Sequence, residues 1–376
     1  MATVVPYSFT PPVEEPVRTR CGYTPAEVIQ SLTKLLGEAG ALSSGRVLHF
    51  TADLVCSGGF NSFARTIWEY ALTHVGIASP RIFVYLKQRT NDILEMLKTL
   101  PDETAYLTEE FQIRVGELVL VTRDAPTRSL VPWPKVGPET HDEGWIRAIK
   151  TDIVTESAAL RIVWKPEGDM GILRTAGAHL CRAIADGSVD KALFWIKWLL
   201  EEESIVYKIQ KGTTLSTIER GPAGLSTKAR RDVIYFILQL YSEIYKELAT
   251  KNLVRMHEEF QTLIDLIRNP PKGLNAKRHI LVILTQILAD VPKWKVPAAQ
   301  PLIKDPVYLA RAVRMVPKFF QEVLKYDSPK RQSELAKALK NKGGTIPKPK
   351  IKDKAQGALT QMEAFDKAME AYMNGR

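Results

Sequence analysis

Residues 176–204, AGAHLCRAIADGSVDKALFWIKWLLEEES, most constrain what this chain can fold into. Leu173, Ala176, Leu180, Cys181 and Ile184 recur at helical spacing. Gly187 suits the left-handed residue that ends a helix, and Ser188 with Asp190 suits the start of the next. That second helix is apolar nearly all round: Val189, Ala192, Leu193, Phe194, Trp195, Ile196, Trp198, Leu199 and Leu200. A helix without a polar face must be covered by other elements on most sides. Burial of Phe194, Trp195 and Trp198 contributes roughly 2–3 kcal/mol each, so the hairpin belongs to a core.

Helical periodicity recurs along the chain, and the fold expected is all-α, a multi-helix array of helical hairpins. Residues 1–20 read as an extended, proline-bearing arm, followed by an N-terminal helical half at 21–123. There Thr24-Pro25-Ala26-Glu27 has capping-box spacing, and helices are expected near 45–56, 60–75, from 80, and from Thr108. The run 117–122, ELVLVT, is β-branched but has no partner strand and is taken as helical. Four prolines around Trp133 mark 124–139 as a connector, either a linker or a strap held by that tryptophan.

A C-terminal helical half is expected over 140–340. Thr140-His141-Asp142-Glu143 has capping-box spacing, Ser226 suits the cap of a long helix, and Ile280–Leu288 is nearly unbroken apolar. Asp305-Pro306 opens a helix with a kink expected at Pro317. Residues 341–355 read as a basic tether, and 356–376 as a terminal amphipathic helix. Its stripe of Leu359, Met362, Phe365, Met369, Tyr372 and Met373 is a candidate docking face for another chain.

Charge is unevenly distributed. Residues 271–355 hold 19 Lys or Arg against 6 Asp or Glu, so they carry +13 of a chain whose net charge is +10. Such asymmetry suits an anionic partner, nucleic acid among them, or a solvated basic surface. The candidate residues are Lys272, Lys277, Arg278, Arg311, Arg314, Lys318, Lys330, Arg331, Lys348, Lys350, Lys352 and Lys354. Of these, Arg311, Arg314 and Lys318 share one helix face.

No catalytic motif stands out. The phosphate-cradling GxxxxGK[ST] and GxGxxG patterns are absent. His257-Glu258 begins like HExxH, but Gln261 stands where the second ligand belongs. Cys21, Cys56 and Cys181 lie far apart, which suits free thiols rather than a disulfide or zinc framework. His179 and Cys181 diverge by about 200° on one helix and cannot pair locally. The Glu201-Glu202-Glu203 run reads as the solvated end of a helix. No metal or cofactor is expected, no apolar run approaches the ~20 residues of a membrane span, and the N-terminus lacks the pattern of a secretory signal.

The block within 53–101 containing LVCSGGFNSFARTIWEYALTHVGIASPRIFVYLKQR, with the Trp-Pro-rich turn and THDEGWIRAIK, resembles helical proteins of large nucleocytoplasmic DNA viruses. Some of those are virion or minor capsid components. The segment CRAIADGSVDKALFWIKWLLEE is similar to the helical hairpin of clamp-loader collar regions, but without Walker motifs no ATPase function carries over. The resemblance implies a non-enzymatic structural protein of a particle or virus-encoded assembly, located in the virion or host cytoplasm, contacting other proteins through its N-terminal arm and C-terminal helix. The alternative is a basic, nucleic-acid-associated helical protein in genome packaging, replication or transcription.

Overall fold

The computed structural model describes residues 18–100, 102–152, 155–210, 212–271, 273–290 and 302–326. The arm through residue 17, the tether, the terminal helix and Lys272, Lys330, Arg331, Lys348, Lys350, Lys352 and Lys354 lie outside them. Among the described residues the fold is all-α, with one isolated antiparallel bridge, Asp169–Ser216, and no sheet. In chain order the helices are α1 (Pro25–Leu36), α2 (Ala41–Cys56), α3 (Phe60–Tyr70), α4 (Arg81–Thr99), α5 (Asp102–Leu107), α6 (Glu109–Asp124) and α7 (Glu143–Thr151). There follow α8 (Ala158–Val163), α9 (Gly171–Ala185), α10 (Val189–Ile209), α11 (Thr227–Arg230), α12 (Val233–Thr250), α13 (His257–Arg268), α14 (Lys277–Ala289) and α15 (Pro306–Leu324).

These helices form two compact units. The first gathers α1–α6, residues 273–275 and α15. A linear division at 124–139 leaves α15 with the second half; the structure instead packs it along α6 and α2. The reason lies in its apolar face, Ala312, Met315, Val316, Phe319, Phe320 and Val323, all buried. Asp305 caps this helix by accepting from the N–H groups of Val307 and Tyr308, and its own N–H donates to Asp124 at the end of α6. The helix continues through Pro317, which removes one backbone donor on the way. The β-branched run 117–122 is helical within α6, as its periodicity requires.

The α6–α15 contact is close at Gly116. A Cβ placed there would overlap the methyls of Val316, which is fully buried. Gly116→Ala is therefore expected to cost about 1–3 kcal/mol, measured as a fall in the denaturant midpoint. Adding Val316→Ala makes room for the methyl, so the double variant should lose less than the two single losses summed.

The second unit contains α7–α14. Its central helix is α14, which packs against α9, α10, α12 and α13. Every residue from Ile280 to Ala289 is buried, and the polar Thr285 bonds Tyr241 at 2.6 Å. The hairpin of α9 and α10 turns at Gly187, whose φ of 69° is the left-handed conformation expected there. Ser188 stands at the N-cap of α10, with Asp190 in the first turn, but makes no side-chain capping bond. Capping differs from expectation at two more places. Residues 138–141 form a 3-10 turn, so the helix begins after Asp142 rather than Thr140. Ser226 caps only the short α11, and Asp232 caps the long α12. In each case a nearer polar residue supplies the boundary, which spacing alone does not rank.

Candidate functional site

The glutamate run departs most from its expected role. Because α10 extends to Ile209, Glu201, Glu202 and Glu203 lie inside the helix and point to three different sides. Glu201 is half-buried, with Lys197 at 3.7 Å and His141 Nε2 at 3.6 Å. Glu202 is buried, and its carboxylate meets His141 Nδ1 at 2.7 Å. Glu203 faces the 214–232 segment and accepts the Leu215 N–H at 2.8 Å. Only Glu202 of the three is buried.

Glu202 belongs to a polar seam that fastens the proline-rich connector to α10. Trp198 Nε1 donates to the Thr140 carbonyl at 3.0 Å, and Lys197 Nζ donates to the Pro134 carbonyl at 2.9 Å. The His141 ring stacks on Trp198, with centroids 5.3 Å apart. Trp145 of α7 covers Trp195 and Trp198 at 5.8 and 5.5 Å. From residue 128 onward the connector therefore acts as a strap, with Trp198 and Lys197 of α10 holding its backbone. A glutamate four residues after a core tryptophan shares its face, and that was the available signal for Glu202.

A buried ion pair ties Asp169 to Arg220. The guanidinium makes a fork of two bonds, Nη1 to Oδ1 at 2.8 Å and Nη2 to Oδ2 at 2.6 Å. Arg220 also donates to the Val163 carbonyl and to Gln239, and lies over the Phe236 ring. Ser216 donates to Asp169 at 2.6 Å, closing the network on the loop after α10. The partners stand 51 residues apart, and no local pattern links them.

A cleft of about 400 Å3 opens beside Glu203, lined also by Tyr207, Lys208, Thr214, Lys228 and Asp232. The Lys228 ammonium sits 3.6 Å from the centroid of Tyr207. Burial pushes the Glu203 carboxyl up to about 7; the Leu215 N–H opposes this and the Asp232 carboxylate adds to it. A carboxyl raised above its ordinary 4.5 favours the folded state when protonated. Its contribution is full at acid pH and is lost as pH rises through about 7. Glu203→Gln is therefore expected to melt higher than the parent near pH 8 and close to it near pH 5. Equal melting temperatures at both ends would refute the assignment.

A smaller cleft of about 200 Å3 lies at His179, whose ring stacks on Trp195 at 4.5 Å. Burial holds this imidazole below its usual range, with Asp152 3.9 Å away acting against it. Arg174 at the same cleft pairs with Glu156 and covers the Trp164 ring. Burial raises all three thiols: Cys56 to about 12, Cys181 to about 11 and Cys21 further still. They stay protonated at neutral pH, which fits small packed residues rather than nucleophiles. No cluster of three metal-ligating side chains occurs among the described residues.

The basic residues divide between the units. Lys277 and Arg278 are exposed in the first turn of α14, a helix end where cations are not favoured. Arg311, Arg314 and Lys318 are exposed on α15, as their spacing requires, and Lys325 follows beside Glu322. No described helix is long and apolar enough to cross a membrane. Comparison with protein-family models, curated proteins and solved structures gives no match.

Proposed function

We propose that this chain is a non-enzymatic component of a larger assembly. The observation that supports this reading is the outer face of α15. From Val307 to Gln321 its exposed positions carry Arg311, Arg314 and Lys318 and no carboxylate, while the opposite face is spent on the unit's own core. The buried acid and base groups, by contrast, are used inside the chain: Glu202 with His141, and Asp169 with Arg220. The resemblance of 53–101 and 130–150 to virion proteins points the assembly toward a viral particle, with other proteins of that particle contacted through the chain's termini.

The second reading, a nucleic-acid-associated protein of packaging, replication or transcription, uses the same basic face. The test of the first is native fractionation of the full chain from its source, with cross-linking to identify neighbours. Co-migration with a large assembly and cross-links to its proteins are expected. A free chain, or a turnover lost on one polar-to-alanine change, would overturn the reading.

A further inference from the structure

We infer that the exposed face of α15 binds the phosphodiester backbone of a nucleic acid, without reading its sequence. This inference rests on the reading of α15 as a contact surface and names the chemistry of its partner. Arg311, Arg314 and Lys318 lie along one line of the helix and span ~10 Å of its axis. Lys325 prolongs the line by a further two turns, with its ammonium 2.7 Å from Glu322. Two carboxylates stand at the start of the helix, and both meet backbone N–H groups: Asp305 accepts from Val307 and Tyr308, and Asp124 accepts from Asp305.

Two alternatives fit this face less well. A protein interface is organised around apolar or aromatic anchors, and along this line only Val307, at one end, is an exposed large apolar residue. A membrane surface would need the apolar side of α15, but Met315, Val316, Phe319 and Phe320 are already buried in the first unit. A phosphate backbone requires neither: regularly spaced cations that displace counterions are sufficient. The sequence continues the trend, since residues 327–355 hold nine Lys or Arg against three Asp or Glu.

The test uses the full chain and a triple variant, Arg311→Glu, Arg314→Glu and Lys318→Glu, with circular dichroism to establish that the variant folds. Labelled DNA and RNA duplexes are titrated by fluorescence anisotropy over a range of salt, beside a polyglutamate of matched charge. The parent is expected to bind nucleic acid with log affinity falling linearly in log salt. The variant should bind ~10-fold or more weakly, with a slope shallower by about 3. Stronger binding to DNA or to RNA would identify the source of the backbone. Unchanged affinity in a folded variant, or binding of polyglutamate alone, would overturn the inference. If the variant does not fold, the single changes Arg314→Gln and Lys318→Gln are read instead, each expected to reduce the slope by about 1. Should the chain co-fractionate with its assembly yet bind no duplex, the inference fails while the assembly reading stands. Absence of both removes the two together.

Discussion

Replacing Arg220 with alanine is expected to destabilise the second unit by about 3–5 kcal/mol, because it leaves the Asp169 carboxylate buried without its counter-charge. The side chains of Asp169 and Arg220 are 0% and 7% exposed, so water cannot substitute for the lost fork. The same change removes the donors to Val163 and Gln239 and the cover over Phe236. Trp133, Trp145, Trp164, Trp195 and Trp198 all lie in that unit, so tryptophan fluorescence in a urea titration reports it. A double variant, Asp169→Leu with Arg220→Met, should recover part of the loss, since exchanging a buried pair for packed apolar groups is less harmful than orphaning one charge. A midpoint for Arg220→Ala equivalent to a loss of under about 1 kcal/mol would contradict this account.

The second large effect is expected at Trp198. Its side chain is fully buried, so alanine should cost about 3–5 kcal/mol through lost contact and the cavity left behind. More is at stake than volume. The indole N–H holds the Thr140 carbonyl, and the ring supports His141 beside Glu202. Trp198→Phe keeps much of the ring contact but abandons that carbonyl, and should fall between the parent and Trp198→Ala. Hydrogen exchange adds a local readout: in both variants the Thr140 amide, which donates to Gly137, should exchange faster. If it kept full protection, the strap would be held by something other than α10.

Helical class was legible because an apolar period near 3.6 dominates most segments, including 117–122, where β-branching competes with it. The first helix was legible to its cap, since Thr24 and Glu27 form the reciprocal bonds that their spacing allows. Caps at Thr140 and Ser226 were not, because several polar residues near each boundary satisfy the same local rule, whereas Ser188 holds its N-cap position without a side-chain bond. The glutamate run was misjudged through helix length: with α10 extended to Ile209, two of the three carboxylates turn inward. The basic face of α15 followed from spacing, and its freedom from carboxylates from composition, since residues 306–321 hold no Asp or Glu.

Residue spacing and local propensity set the kind of each element and most of its inward face. The sequence also placed the concentration of positive charge beyond residue 271. Which helices share a core is a matter of long-range packing: α15 joins α2 and α6, and α14 rather than α10 lies at the centre of the second unit. Such packing alone brought Asp169 to Arg220 and Glu202 to His141. Those pairings are set by the complementary packing of distant surfaces, and a chain read residue by residue contains no local term that selects between them.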